Sequence, residues 1–600
     1  MPVEVSMFYP RLEEGNNTRT LIDSWYGYNH NYKIGRGEFF DMENMSSDQY
    51  PLLVPRHVRP LLKKGENIHG LLYSDNNLAY LDGTTLYYSL SSYDLSDLME
   101  EPETWQTLIR FGAYILIFPS NVYINVYDPT DRGTLEDTYI AEEGNEITYS
   151  ICNSEGEGFD NIVASDDSPS DPTDGMYWLK TSADQGLYVW NKDTWVPVAT
   201  CYIRIEIPGA DLTTHFSEGD VVRMNTTLDD INDGSIIQAM DDEYLVVIGI
   251  MDEVTKTAHC TDAWKLTIKR KIPQLDYVCA DKNRIWGCHY GYQIGGMINE
   301  IYCSKLGDFK NWYSYAGLST DSYSVSVGVP GEFTGCISYQ GYPTFFKENA
   351  IFKVYGTMPS QYQIVQSDQR GVQQGSYRSL AIVDEYLVYK SPSDICVYDG
   401  SSPVSISENL GREELFYDAV GGGCLNKYRV VMENAKGKKY YFVYDFKTGI
   451  WEKEDPVKFE MFSATENGQI YGATKEEIYG LGSTDNIAFT DMLVGEEYVE
   501  WFCQTGEMGY EYVDYKYVNR ITIRAYVPYR SELEVMIAYD DRDFERVSIV
   551  RGKESIDSVS LSFAPFRCDH FRIKLRGHGE CRIYSMAISL ETGSEEDDNR

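Results

Sequence analysis

Apolar and polar residues alternate over short runs along almost the whole chain, and 3.6-residue periodicity sustained over three turns is hard to find anywhere. The runs are bounded by Asn, Asp, Glu and Gly, the residues that tolerate turn conformations, so they read as strands joined by tight turns. Between residues 68 and 481 the strand–turn–strand unit recurs. Its instances include IHGLLYSDNNLAYLDGTTLYY (68–88), FGAYILIFPSNVYINVYD (111–128), YVCADKNRIWGCHYG with NEIYCSK (277–305) and FTGCISYQGYPTFFKENAIFKVYG (333–356). Three more follow: YRSLAIVDEYLVYKSPSDICVYDG (377–400), LNKYRVVMENAKGKKYYFVYDFKTGIWEK (425–453) and MFSATENGQIYGATKEEIYGL (461–481). Meanders repeated at about 40 to 50 residues suggest β-propeller blades, an arrangement that also hides strand edges. Unrelated meanders in β-sandwiches are the alternative, because no fixed blade signature recurs.

The repeat breaks at 129–275, where an acidic, Gly- and Ser-containing stretch (141–175) precedes GLYVWNKDTWVPVAT, CYIRIEIPG, FSEGDVVRM, EYLVVIGI and WKLTIKRKIP. These strands suffice for a small inserted β domain. Its phrase GLYVWNKDTWVPV (186–198) resembles YYFVYDFKTGIWEK (440–453): each is an apolar strand, a polar turn and a Trp opening the partner strand. Both predict a hairpin with a cross-strand aromatic contact, formed by similar local chemistry rather than by a shared blade. From 498 to 592 the alternation becomes regular, as in an antiparallel sandwich.

The expected fold is therefore all-β: a six- or seven-bladed β-propeller (61–128 and 276–490), an inserted β domain (129–275) and a jelly-roll-like C-terminal sandwich (498–592). An N-terminal extended segment (1–60) and an acidic tail (593–600) flank them. At 600 residues the chain exceeds what one core can organise. Fifty Tyr and an aromatic share of 14% agree with pleated, half-buried surfaces.

Lys and Arg total 52 against 93 Asp and Glu, a formal charge of −41. No basic block exists to neutralise phosphates, so tight nucleic-acid binding is not expected. The twelve Cys stand singly from Cys152 to Cys581 without a Cys-x-x-Cys, which fits buried thiols and assembly in a reducing cytoplasm. Sequence does not fix whether Cys568 and Cys581 meet. The start, MPVEVSMFYPRLEEG, lacks a secretory pattern, and FGAYILIFP (111–119) is too short to span a bilayer, so no membrane anchor is expected.

Candidate chemistry is sparse. SADQGLYVW (182–190) approaches a sialidase Asp-box but stands alone and reads as a hairpin turn. LDDINDGS (228–235) places Ile231 where a calcium ligand is needed, and YDDRDFE (539–545) lacks the central Gly and distal Glu, so both read as turns. The eight His show no zinc spacing, no Gly-x-Ser-x-Gly elbow occurs, and GGG at 421–423, placed between a blade and the next strand, lacks the Lys-Ser/Thr of a phosphate loop. Glycosidases need a spaced carboxylate pair, which 93 acids leave undefined. No catalytic, cofactor or metal residue is assigned. Tyr526, Tyr529 and Tyr539 are the candidate surface aromatics for partner or glycan contact.

The segments GRGEFFDMENMSSDQYPLLVPR (35–56), NRIWGCHYG with NEIYCSKLGDFKNW (283–312), STDSYSVSVG (319–328), 333–356, AYDDRDFERV and RCDHFRIKLRGHG resemble bacteriophage and prophage structural proteins of the head-to-tail and tail-nozzle type. The resemblance implies a non-enzymatic virion protein in the tail. It would form a homo-oligomeric ring of six or twelve copies around the DNA conduit, beside adaptor, portal and tail-fibre proteins. An acidic conduit would let genomic DNA pass without tight binding. The insertion and the sandwich depart from that pattern, which keeps open a receptor- or glycan-binding tail protein and, behind it, a propeller glycosidase.

Overall fold

The computed structural model describes residues 17–182, 184–293, 296–465, 468–482, 495–513, 515–561 and 563–592. The chain divides into two compact units, Met1–Asn77 with Val372–Arg600, and Leu78–Gly371. Strands dominate both, and the fold is an all-β propeller with an inserted β module and a C-terminal sandwich.

Seven antiparallel four-stranded meanders of blade type occur among the described residues, at the seven places where the strand–turn–strand unit recurs. In the second unit, Thr107–Phe111 to Arg132–Thr134, Tyr277–Asp281 to Tyr323–Ser326, and Gly335–Tyr339 to Gln363–Ser367 each make one sheet. In the first unit, Ala381–Val383 to Val404–Ser405 and Phe416–Cys424 to Ile450–Glu454 do the same. A further four-stranded sheet runs from Ile68–Ser74 to Ser91–Asp94.

The remaining blade is built from distant parts of the chain. Met461–Ala464, Ile470–Ala473 and Glu477–Leu481 are joined by a fourth strand, Leu61–Lys64, with Glu477 opposite Lys64 and Ile478 opposite Lys63. An edge that would otherwise expose unpaired amides is thereby covered by a segment some 400 residues earlier. The chain then runs into Ile68–Ser74, where the Tyr73 amide donates to Ser463 Oγ at 2.8 Å and the Tyr73 and Tyr471 rings stack at 5.5 Å.

The blade ending in Arg132–Thr134 reaches past residue 128, so the insertion begins after Thr134. It comprises an eight-stranded sheet, from Thr138–Ile140 at one edge to Thr255–His259 at the other, and a four-stranded sheet, Ile162–Ser165 to Thr194–Pro197. They share a core that includes Ile147, Tyr149, Leu179, Leu187, Ile205 and Val247. The acidic 141–175 stretch is part of the module: Glu146–Cys152 is a strand whose alternate residues Ile147, Tyr149 and Ile151 are buried.

The sandwich is one hydrogen-bonded sheet folded upon itself. Lys516–Tyr539, 24 residues long, pairs through its first half with Arg582–Thr592 and through its second with Phe571–His578, while Glu545–Leu561 follows it along both. The bend lies between Val527 and Glu532, where the register shifts and Arg530 takes φ +71°. Val518, Ile521, Ile523, Leu533, Val535 and Ile537 fill the core between the layers.

The N-terminal segment is not merely extended. Asn17–Ile22 pairs with Arg582–Thr592, and Glu38–Glu43 with Glu500–Thr505, so residues before 60 supply strands to the C-terminal sheet. Edge strands of a sandwich carry free amides and carbonyls, and these segments satisfy them. The acidic tail 593–600 lies outside the described residues.

Candidate functional site

A buried ionic clamp forms where residues 44–60 run beside the strand Ile450–Glu454. Asn44, at φ +61°, turns the chain: its amide donates to the Lys453 carbonyl at 2.9 Å, and its Oδ1 accepts Arg56 Nε at 2.8 Å and the Asp455 amide at 2.9 Å. Arg56 pairs with Asp455 at 2.8 Å and Glu496 at 2.7 Å; Arg59 pairs with Glu454 at 2.6 Å and lies 5.3 Å from the centre of the Tyr441 ring. Lys427 contacts Asp48 at 2.8 Å and Glu452 at 3.2 Å.

Glu452 and Glu454 lie two residues apart on one strand and so share a face. Burial raises the Glu452 carboxyl, with Asp48 adding to it and Lys427 only partly offsetting it. Burial would raise Glu454 too, but Arg59, Arg56 and Arg429 outweigh it and hold the carboxyl below the usual range. Carboxylates pushed apart in this way resemble an acid–base pair. The free space beside them is about 20 Å³, room for a water molecule and not for a sugar ring, and the oxygens are taken, those of Glu454 by Arg59 and Arg56 and those of Glu452 by Lys427 and Ser47. The arrangement can hold chain segments together; it has no space for a substrate.

Several other buried cations are held largely by carbonyl oxygens. Lys347, ending Tyr342–Lys347, donates to Asn299 Oδ1 and to the Val329 carbonyl, both at 2.7 Å, and to the Gly331 carbonyl at 2.5 Å. Lys390, ending Tyr386–Lys390 in the following blade-type sheet, donates to the carbonyls of Ser391 and Pro392. Burial lowers both ammonium groups to about 8. Arg284 donates to the carbonyls of Ser304, Ser319 and Asp321, and Lys516 to those of Gly509, Tyr512 and Asp569. The sequence reading missed these groups. The recurrence of an aromatic-rich strand, a Lys and a turn in FFKENA and VYKSPSD was the available signal.

The three candidate tyrosines are not brought together. Tyr529 is 77% exposed at the bend of the long sandwich strand. Tyr526 is half-buried, with the Arg582 guanidinium 5.5 Å from its ring centre. Tyr539 is corrected: only 6% exposed, it packs 5.4 Å from Phe566 and belongs to the core, because the strand's inward positions alternate into it.

Two surface depressions flank the sandwich, each of about 410 Å³. One has an apolar floor of Trp25, Phe39, Met508 and Phe571 beneath an Arg36–Glu511 rim. The other carries Glu43, Glu500, Glu532 and Glu534 with Lys574 and Arg576; Glu534 is paired with Arg576, and Glu532 with Arg551 at 2.7 Å.

Of the acidic stretches considered for calcium, the first is a 3-10 turn, Asp229–Ile231, that leads into the strand Asp233–Asp241, and the second is the turn after Tyr539. Asn232 accepts from Thr226 while Ile231 is buried, and Asp540 Oδ1 accepts the amides of Asp569 and His570. Among the described residues no group of three or more His, Cys, Asp or Glu is placed to hold a metal. Cys568 and Cys581 are both free and buried. GGG at 421–423 is corrected from a connection to the interior of the strand Phe416–Cys424. A methyl there would come within 2.6 Å of Tyr428 Oη at Gly421, 2.4 Å of Phe462 at Gly422 and 2.5 Å of Val383 at Gly423. The glycines allow close packing of neighbouring strands.

Comparison with known proteins adds little to this geometry. No protein-family model matches the chain, and no curated protein matches it. Among solved structures, an exo-β-1,3-galactanase from Phanerochaete chrysosporium is similar over 52% of this chain and 94% of its own, at 8% identity and a TM-score of 0.18. U3-55K covers 45% of this chain and 97% of its own, at 7% identity and 0.21. The WD40 domain of SCAP from fission yeast covers 92% of this chain and 98% of its own, at 8% identity and 0.23. Likenesses at these TM-scores carry no argument about chemistry, and the function rests on this chain's own residues.

Proposed function

We propose that this chain is a structural protein of a bacteriophage tail, a propeller subunit of a homo-oligomeric ring around the DNA conduit, as in a tail nozzle or head-to-tail connector. The observation that carries the reading is the clamped closure. The segment 35–56, which resembles phage tail proteins, supplies sandwich strand Glu38–Glu43 and the clamp residues Asn44, Asp48 and Arg56, and it leads directly into the closing strand Leu61–Lys64. The phrases at 283–312 and 333–356 likewise form blade strands, with Arg284 and Lys347 buried in carbonyl cages. These residues tie remote segments of the chain together, as a scaffold subunit requires. The charge of −41 supports a surface past which DNA slides.

Cryo-EM of purified tails, with mass-spectrometric quantification against the major capsid protein, tests this. The expected result is a closed ring of about six or twelve copies on the DNA path. A peripheral trimeric spike, or a basic lumen, would overturn it.

A receptor- or glycan-binding tail protein is the second reading, favoured by the exposure of Tyr529 and by the carboxylate-lined depression beside Glu43 and Glu500. Loss of host-cell or glycan binding in Tyr529→Ala would support it. A propeller glycosidase would need turnover of a polysaccharide that a defined carboxylate substitution abolishes.

A further inference from the structure

The small sheet of the insertion has two unlike faces. On one, Ile162, Tyr177, Leu179 and Leu187 pack into the module's core. The other carries Trp178, Tyr188, Trp190 and Trp195, and the register sets Trp178 opposite Tyr188 and Trp190 opposite Trp195. The rings form one continuous row: Tyr188 stacks on Trp178 with centroids 5.0 Å apart, Trp178 lies 5.6 Å from Trp195, and Trp195 lies 5.2 Å from Trp190. Trp178 is covered by its neighbours; Tyr188, Trp190 and Trp195 are half-buried and keep ring surface open to solvent. Gly186 continues this face, and a methyl there would come within 3.1 Å of the Tyr188 ring, so the glycine leaves that ring room to lie over the strand.

A row of four aromatics on the solvent side of a four-stranded sheet is more than folding of the module requires, because Leu179 and Leu187 already supply its buried side. Polar groups surround the row. Trp178 donates its indole N–H to the Ser165 carbonyl at 3.0 Å, whereas Trp190 and Trp195 donate theirs to no described residue. Asp184 lies beside Lys180 at one end, with its side chain 95% exposed, and Asp174 caps the Lys192 amide at the turn that follows Trp190. Open aromatic faces suit the C–H faces of pyranose rings, and exposed carboxylates accept from hydroxyl donors. The chain's net charge of −41 disfavours anionic polymers.

We propose that this face, centred on Trp190 and Trp195, is a binding site for a neutral saccharide chain. The site belongs to the insertion rather than to the sandwich, and it stands whether the chain is a ring subunit or a peripheral one.

The test uses the full chain against an array of neutral and anionic bacterial surface glycans, with sedimentation to follow oligomeric mass. Binding to at least one neutral glycan is expected, weakened about tenfold or more in Trp190→Ala/Trp195→Ala. Trp190→Phe/Trp195→Phe retains binding. If the alanine pair does not fold, protection of Trp190 and Trp195 from N-bromosuccinimide oxidation by the bound neutral glycan replaces it. Absence of neutral-glycan binding across the array, binding undiminished in the alanine pair, or Trp oxidation unaffected by glycan would overturn the proposal. So would a change of oligomeric mass in the alanine pair, which would make the face a contact between copies.

Discussion

Arg59 and Glu454, 395 positions apart, meet at 2.6 Å with both side chains at least nine-tenths buried. The contact joins a residue two positions before the strand Leu61–Lys64 to the end of a blade strand. Its energetics follow from the difference between breaking a buried pair and replacing it whole. Arg59→Met alone removes the closest cation from the buried Glu454 carboxylate, leaving the longer Arg56 contact at 3.7 Å, and is expected to cost about 3 kcal/mol. Arg59→Met with Glu454→Met is expected to recover most of that loss. Urea denaturation of the three proteins checks it; equal destabilisation of single and double variants would contradict the account.

Acid stability follows from the same cluster. Glu454 and Asp455 feel burial, which raises them, but Arg59 and Arg56 outweigh it and both titrate below the ordinary carboxylate value. A folded pKa lower than the unfolded one contributes stability above the unfolded value, near 4, and that contribution is lost as pH falls through the folded value. Glu454→Gln is therefore expected to be less stable than the parent at neutral pH, with the difference shrinking below about pH 4. A pH-independent difference would sink the assignment.

The similar hairpin phrases should respond differently to loss of their tryptophans. Trp451 sits 4.9 Å from Tyr444, is 1% exposed and donates to the Ile406 carbonyl at 2.7 Å. Trp451→Ala is expected to cost about 3–5 kcal/mol through cavity formation. Trp195 lies half-buried on an outward face, and Trp195→Ala is expected to cost about 1 kcal/mol or less. Thermal denaturation of each variant distinguishes them, and equal losses would mean that the insertion's aromatic face is a core.

Gly422 offers a steric test. Gly422→Ala places a methyl 2.4 Å from the Phe462 Cβ, so the strand must shift, at an expected cost of about 1–3 kcal/mol. Gly158→Ala, where a methyl meets nothing within 4 Å, is the control and is expected to change little. Comparable denaturation midpoints for the two would contradict close packing at the glycine triplet.

Period-two alternation and turn residues act within a few positions, so the sequence by itself determined the recurring strand–turn–strand units, the presence of an inserted module and the two Trp hairpins. The 186–198 and 440–453 hairpins were legible because Trp190 faces Trp195, and Tyr444 faces Trp451, across short turns. Tertiary structure decided everything whose partner is remote. It placed Leu61–Lys64 against Glu477–Leu481, gave Asn17–Ile22 to the sandwich and matched Arg59 with Glu454. No local pattern encodes which of many acids an arginine will meet, or which strand edge needs covering. Tyr539 was misread as a surface residue for the same reason, since alternation tells which residues share a face but not which face is inside. The aromatic row of the insertion needed both: its strands are local, but only the packing of Leu179 and Leu187 into the core turned the tryptophans outward.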